Sequence, residues 1–573
     1  MSFETEYQKW LGQENLESYL KDQLEKMTDA EKEDAFYRSL EFGTGGMRGV
    51  VGPGTNRMNV YTIRKANEGF AQYLLKNVEN AKERGIVIAY DCRHFSPEFA
   101  MESAKVMASH GIKAYVFESL RPTPELSFAV RHLQAAGGIV VTASHNPPEY
   151  NGYKIYDETG CQLVPADADQ VIALVDAIDD VFSIDVQSEA ELKEAGLIQM
   201  IGKEIDDVYT ERVKALEINP DCNKKDLKIV FTPLHGTANM PVRRVLTECG
   251  YEQLHVVEEQ CVPDANFSTV KSPNPEEASA FEMAIHLGKE IDADILIATD
   301  PDADRVGLAV KNPEGEYVLL TGNQTGAILI HYILSQKKAH GTLPAKGKVF
   351  NTIVTSDMGA AIARSYGYEV VSTLTGFKFI GEQARLIEGT DYEYIFGYEE
   401  SYGYLIGDFV RDKDSVQSVL MCAEAAAYYK EHGQTLYDVL MELYDTYGCY
   451  REALVNITLK GKEGADKIQA ILADFREFTP ITIAGKEVVA VEDYKESIRT
   501  ELTNDSTTTI DLPKSNVLKY TLADGSWFVL RPSGTEPKAK IYIGVIADEL
   551  EKADEQVAKI KEDVLARVNQ IIA

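Results

Sequence analysis

The sequence predicts an α/β protein of four domains: three similar α/β domains with mixed, mostly parallel sheets, then a C-terminal α+β domain. Three observations carry this. The chain has 573 residues, too many for one ordinary core, and a length prior gives roughly three to five domains. A unit of apolar strand, helical stretch, glycine and second apolar strand recurs three times. Past about residue 450 the pattern changes to alternation of apolar and polar residues.

The first forty or so residues place Tyr7, Trp10, Leu11, Leu16, Tyr19, Leu20 and Leu24 at helical spacing and read as helices. The recurring unit first spans the strand Gly85 to Asp91, a helix, Gly111 and the strand Ile112 to Phe117. It returns as Lys228 to Pro233, a helix, Gly250 and Leu254 to Val257, and again as Lys348 to Val354, a helix, Gly367 and Val370-Val371. Short continuous apolar runs separated by helices are the mark of parallel strands with crossover helices. One large parallel sheet is the alternative arrangement. The alternating stretches Leu454 to Leu459 and Trp527 to Leu530 predict an antiparallel sheet, and Ala547 to Ala573 an amphipathic helix. The expected domains are 1–208, 209–322, 323–446 and 447–573.

Lys plus Arg number 58 against 91 Asp plus Glu, a net charge of −33. Such a surface repels polyanions, so neither nucleic acid nor an anionic membrane is an expected partner. It also repels phosphorylated metabolites, so a phosphate site needs Arg, Lys or backbone N–H groups gathered locally. The acidic start Met1 to Glu6 does not read as a signal peptide, and no apolar run is long enough to span a bilayer. Seven scattered cysteines without a Cys-x-x-Cys pair read as reduced thiols of a cytoplasmic protein.

Four loops carry the chemistry. Thr142-Ala143-Ser144-His145-Asn146-Pro147-Pro148 follows the apolar strand Gly138 to Val141, and ligands bind at the carboxyl ends of strands in open α/β sheets. The two prolines delay any helix and leave Ser144 on a constrained loop. A Ser–His hydrolase is disfavoured, because sequence neighbours point apart and triads take their base from elsewhere. The second loop, Asp300-Pro301-Asp302-Ala303-Asp304-Arg305, follows Ile295 to Thr299. Its three alternate carboxylates converge on a hard cation, or else form a solvated acidic turn. Counted from Asp300, the sixth position is Arg305 and the twelfth Lys311, which excludes an EF-hand and leaves Mg²⁺ as the fitting ion.

The third loop, Gly397-Tyr398-Glu399-Glu400-Ser401-Tyr402-Gly403, offers carboxylates and a hydroxyl to vicinal sugar hydroxyls, though a surface turn has the same makeup. Arg411-Asp412-Lys413-Asp414 adds charge nearby, with Lys413 a candidate substrate contact. The fourth, Arg531-Pro532-Ser533-Gly534-Thr535-Glu536-Pro537-Lys538, combines a guanidinium fork, two hydroxyls and a glycine, the makeup of a phosphate nest or of a structural turn. Gly43 to Gly49 is a further Gly-rich segment, either flexible packing or a second phosphate contact through Arg48, without the ending of a P-loop.

In this order the four loops resemble the α-D-phosphohexomutase family, the phosphoglucomutases and phosphomannomutases, over nearly the whole chain. Tyr398, with Gly45 to Val50 and Gly52-Pro53-Gly54, is similar to the branch holding bacterial α-phosphoglucomutases and phosphopentomutases. The resemblance implies an active site in a central cleft, with Ser144 phosphorylated and Mg²⁺ held by Asp300, Asp302, Asp304 and the phosphate oxygen on Ser144. It implies that Glu399 and Ser401 grip sugar hydroxyls, and that Arg531, Ser533, Gly534 and Thr535 bind the phosphate that is not transferred. Arg305 would steady the transferring group; Thr375, Gly376 and Lys378 match a substrate-touching loop, and Arg48, His145 and Lys154 match catalytic positions. Lys154 with a lowered pKa is the first expectation for the acid/base and His145 the second. The implied reaction interconverts glucose 1-phosphate and glucose 6-phosphate, with glucose 1,6-bisphosphate as intermediate and activator. Mannose or pentose phosphates are alternative substrates, and a sugar phosphatase or a silent sugar-phosphate-binding regulator are the remote alternatives.

Overall fold

Three short helices open the chain, Phe3–Leu11, Ser18–Leu24 and Asp29–Phe36. A computed structural model describes residues 2–43, 46–533 and 537–572. The third helix starts with a capping box, in which Thr28 and Glu31 satisfy each other's backbone donors. Tyr7, Trp10, Leu20, Leu24 and Phe36 from these helices form a small core of their own. The chain divides into two compact units, one of Met1–Thr325, Gln336–Lys348 and Phe377–Leu436, the other of Gly326–Ser335, Val349–Gly376 and Tyr437–Ala573.

The first unit holds a six-stranded sheet in the order Gly46–Val50, Tyr150–Tyr156, Gly137–Val141, Ile86–Tyr90, Ala114–Phe117, Ile198–Ile201. The last four of these strands run parallel and the first two join antiparallel. Helices Ser96–Ser109 and Thr123–His132 pack on Ile86–Tyr90. Cover of this kind is why Gly137–Val141 is buried at every residue and reads as an unbroken apolar run. A second sheet orders Tyr317–Leu319, Val306–Lys311, Ile295–Thr299, Ile229–Thr232 and Leu254–Val256, again with parallel strands at one end and antiparallel at the other. The recurring units are thus built as expected, and the strands fall into separate sheets, not one.

The Gly-rich segment differs from expectation. Gly46–Val50 is an edge strand, paired Arg48 to Gly152 with Tyr150–Tyr156. Gly46 has φ 125°, and a Cβ there would lie 1.8 Å from the Tyr153 carbonyl oxygen. The glycine serves close backbone pairing, which composition alone does not distinguish from a flexible loop.

The second unit carries an antiparallel sheet that includes Cys449–Thr458, Lys538–Ala547, Trp527–Pro532, Leu518–Leu522 and Lys486–Asp493 as successive neighbours. The helix Leu550–Ile572 covers it with Ala553, Ile560, Val564 and Val568, spaced to share one face. Among the described residues no helix is long and apolar enough to cross a membrane, and all seven cysteines are free thiols.

Candidate active site

Ser144 follows the buried strand Gly137–Val141 and sits at φ 51°, in the left-handed region that a residue with a side chain enters at a cost. Its surroundings hold it there. The Ser144 N–H donates to Thr142 Oγ1 at 2.9 Å. The Arg93 guanidinium, its side chain fully buried, donates to the carbonyls of Ser144 at 2.6 Å, Pro147 at 2.8 Å and Tyr150 at 3.0 Å, and also to that of Asn146. Asp91 lies 3.3 Å from Arg93 and accepts from the Arg93 N–H and the Ser96 hydroxyl. Burial pushes the Asp91 pKa up, with Arg93 opposing.

The Ser144 hydroxyl, on a residue 3% exposed, donates to Asp300 Oδ2 at 2.7 Å and lies 3.2 Å from His145 Nδ1. Asp300, Asp302 and Asp304 are all buried, each offering an oxygen within 4.8 Å of the others. The loop that delivers them turns tightly: Ala303 is at φ 58°, and Asp300 Oδ1 accepts from the N–H groups of Asp304 and Arg305, both at 3.0 Å. Asp302 Oδ2 accepts from Thr123 Oγ1 at 3.1 Å and from Lys154 Nζ at 2.9 Å. Asp304 Oδ2 lies 2.9 Å from Lys413 Nζ and 3.5 Å from Lys154 Nζ.

The second oxygens of Asp302 and Asp304 are buried with no hydrogen-bond partner. Bare carboxylate oxygens beside a third buried carboxylate fit a divalent cation: the donor set is all oxygen, and an unpaired buried acceptor is costly. Without a cation the three acids compete. Burial and then its two neighbours push the Asp300 pKa well above the carboxylate range. Asp302 and Asp304 are equally buried, yet Lys154 and Lys413 hold both below it.

This corrects the expectation for Lys154. Its burial pulls the ammonium pKa down, but Asp302 and Asp304 outweigh burial and hold it above the ordinary lysine value. His145 moves the other way. Burial, then Arg305 and Arg48, push it down to about 2, so its ring is neutral at physiological pH.

Arg48 reaches from the edge strand to Asn146 Oδ1 at 2.8 Å. Arg305 pairs with Glu276 and lies 3.8 Å from Asp304 Oδ1. Glu399 is buried in a tight turn, its N–H donating to the Gly403 carbonyl at 2.9 Å, and its charge is felt at Arg305 and Lys413. A Cβ at Gly403 would lie 2.1 Å from Lys413 Cδ, so this glycine makes room for the lysine stem. Ser401 is half-buried two residues on from Glu399, and Lys378 opens the helix Phe377–Ile387 with its ammonium 5.3 Å from the Phe379 ring. The first unit therefore brings Arg48, Ser144, His145, Lys154, the three aspartates, Arg305, Glu399 and Lys413 into one neighbourhood.

Thr375, Gly376, Arg531 and Ser533 belong to the second unit. Gly376 is at φ 120° in the loop after Glu369–Thr373. Arg531, half-buried and next to last in the strand Trp527–Pro532, lies 3.4 Å from the Tyr542 hydroxyl, and the Ser533 N–H donates to the Lys538 carbonyl at 2.8 Å. Gly534 and Thr535 lie outside the described residues.

Four sequence models of one family match the chain in succession, described as phosphoglucomutase/phosphomannomutase alpha/beta/alpha domain I over residues 39–182, domain II over 207–315, domain III over 321–447 and the C-terminal domain over 454–565. The chain belongs to this family. The phosphoglucomutase of Staphylococcus epidermidis is 40% identical over 532 residues, 93% of this chain and 95% of that protein. That of Staphylococcus aureus is 40% identical over 537 residues, 94% and 95% of the two chains. Among solved structures, a putative phosphomannomutase from Thermus thermophilus has the same fold, with a TM-score of 0.68 at 23% identity, covering 93% of this chain and 99% of that one. As a member of the phosphoglucomutase/phosphomannomutase family the chain places its serine and aspartate loops together, as the motifs implied. The motifs missed Arg93, Asp91 and Thr123, which hold those loops. Asp91-Cys92-Arg93 stands at the carboxyl end of the strand Ile86–Tyr90, a position that marks functional residues in such sheets.

Proposed function

We propose that the protein interconverts α-D-glucose 1-phosphate and glucose 6-phosphate in the cytoplasm, with phospho-Ser144 as the carrier and glucose 1,6-bisphosphate as the intermediate. The carrying observation is the Ser144 hydroxyl 2.7 Å from Asp300 inside a triad of buried carboxylates with bare oxygens. The name shared by the 40% identical staphylococcal proteins supports glucose as the sugar. Asp300, Asp302 and Asp304 are the residues to hold Mg²⁺, which, when bound, neutralises charge building on the transferring phosphoryl group.

The chain's own groups do the rest. In the first transfer the P–O bond to Ser144 breaks and a P–O bond to the sugar oxygen forms; the sugar hydroxyl gives its proton to uncharged Lys154, and the departing Ser144 oxygen takes one from protonated His145. The sugar then turns round, and the Ser144 hydroxyl attacks the other phosphoryl group, its proton leaving for a nearby base. His145, 3.2 Å from Oγ, is placed to accept that proton when the phosphoryl dianion offsets the Arg305 and Arg48 charges that hold its pKa down. Lys154, charged once it holds the first sugar proton, returns it to the departing sugar oxygen. Glu399 and Ser401 take the sugar hydroxyls, Lys413 and Arg305 the charge on the transferring group, and Arg48 and Lys378 line the approach. Arg531, Ser533, Gly534 and Thr535 bind the phosphate that stays, and Thr375 and Gly376, with Lys378, touch the substrate. The four domains are drawn at 1–208, 209–322, 323–446 and 447–573.

The test is conversion of glucose 1-phosphate by wild type and Ser144→Ala with glucose 1,6-bisphosphate present. Wild type should isomerise, and intact mass should show one phosphate that excess monophosphate removes. Normal isomerisation by Ser144→Ala overturns the proposal, and phosphate release without isomerisation selects a phosphatase. Rates with mannose and ribose 1-phosphates rank the sugars.

A further inference from the structure

A second cleft, of about 530 Å³, lies within the first unit, and none of its lining residues belongs to the candidate active site. That volume is in the range of small-molecule pockets. Tyr209, Leu120, Met240, Pro241 and Pro263 make much of its wall apolar. Three buried oxygens on its lining have no hydrogen-bond partner: Glu125 Oε1, Thr237 Oγ1 and Asn239 Oδ1. Glu125 is 1% exposed and Thr237 2%. An unpaired buried acceptor is costly, so the cleft asks for a ligand that donates hydrogen bonds.

Charge narrows the class. Both arginines of the cleft are already engaged. Arg121 grips Asp206 through two nitrogens at 2.7 and 3.0 Å, and Arg244 holds Asp207 and Glu248, each at 2.8 Å. Glu125 shares a hydrogen bond with Asp206, and the charges of Asp206 and Asp414 act on it against that of Arg121, which is committed to Asp206. Burial, then Asp206 through its hydrogen bond and charge, push the Glu125 pKa well above the ordinary glutamate value, and the carboxylates of Asp206, Asp207, Glu248 and Asp414 outnumber the two arginines around it. Tyr209, whose hydroxyl donates to Asp414 at 2.8 Å, adds an aromatic wall.

We propose that this cleft is a second small-molecule site, taking an organic ammonium: a protonated amine with a compact apolar body, its N–H groups on Glu125, Thr237 and Asn239. The site backs onto the aspartate loop. Two residues before Glu125, the Thr123 N–H donates to the Asp302 carbonyl at 2.9 Å, and the Thr237 N–H donates to the Pro301 carbonyl at 2.9 Å. A Cβ at Gly236 would lie 2.5 Å from Pro301 Cα, so these loops have no slack. An amine that shifts either threonine therefore changes the cation affinity of the triad, a consequence that rests on the triad's binding a metal.

The test uses the full chain with benzylamine as probe, and benzyl alcohol and benzoate as neutral and anionic controls of the same shape, followed by saturation-transfer NMR titration. Benzylamine should bind saturably, each control more weakly. Glu125→Gln, which keeps the shape, should weaken benzylamine about tenfold or more. Met240→Trp, at a position 70% exposed, should block the mouth without touching the core. No saturable binding to wild type, equal binding of benzyl alcohol, or benzylamine affinity unchanged in Met240→Trp overturns the site; the last decides the matter even where Glu125→Gln fails to fold. Mn²⁺ affinity, measured by electron paramagnetic resonance with and without benzylamine, should shift. An amine that binds while leaving Mn²⁺ binding normal and unshifted overturns the coupling, and absence of Mn²⁺ binding altogether faults the metal reading alone.

Discussion

The serine–aspartate neighbourhood of the first unit and the Arg531 loop of the second are built on opposite principles. In the first, Ser144 and the three aspartates are buried, and their loops are tied down by Arg93 and Thr123, themselves buried. In the second, Arg531, Pro532 and Ser533 are half-buried at a strand end, and the described Arg531 side-chain bond is a long one, 3.4 Å to a tyrosine hydroxyl. Groups that act on a developing charge must not reorganise during the step, so they are fixed in advance. A group that holds an unchanging phosphate does the same work before, during and after transfer, and tolerates solvent.

If that contrast is right, damage sorts by region. The largest effect should come from Ser144→Ala, with kcat falling roughly 10⁴-fold or more, since the carrier itself is lost. Asp302→Asn removes the negative charge that Lys154 pairs with and one of the two carboxylate oxygens. It should cost on the order of 10³-fold in kcat with little change in KM, and weaken Mn²⁺ binding in a direct titration. Arg93→Lys replaces a fork that reaches four carbonyls with a single ammonium. About a 10²-fold loss of kcat is expected, with KM nearly unchanged; a loss confined to thermal stability would break the claim that Arg93 positions Ser144.

Arg531→Ala should instead raise KM about tenfold or more with a smaller fall in kcat, read from the same steady-state assays. A pure kcat effect there would erase the distinction between the regions. The smallest effect concerns pH. The folded pKa of His145 is depressed to about 2 against an ordinary value near 6.5, so folding favours the neutral ring. That contribution is complete above about pH 6.5 and is lost as pH falls toward 2. His145→Gln should therefore lose less of its thermal midpoint than wild type between about pH 6.5 and 4, with the two curves parallel above that window.

Much of this was legible in the sequence because the signals are local. Unbroken apolar runs such as Ile295 to Thr299 declare a buried strand, and Asp300-x-Asp302-x-Asp304 at its end declares three carboxylates on one turn, since spacing along one turn is set by the backbone. The four-loop order carried the family. Three things were decided only in three dimensions. Gly46 read as flexible packing or part of a phosphate contact, but it makes room for the carbonyl of Tyr153, far along the chain, as Gly403 does for the Lys413 stem. Arg93 had no motif, because its partners are backbone carbonyls, which every residue type supplies equally. Lys154 was expected to have a lowered pKa because of the proton-transfer role that the family resemblance implied. Its actual charge depends on Asp302 and Asp304, 148 and 150 residues away, because proton affinity is set by the field where a side chain ends up, not by the letters beside it.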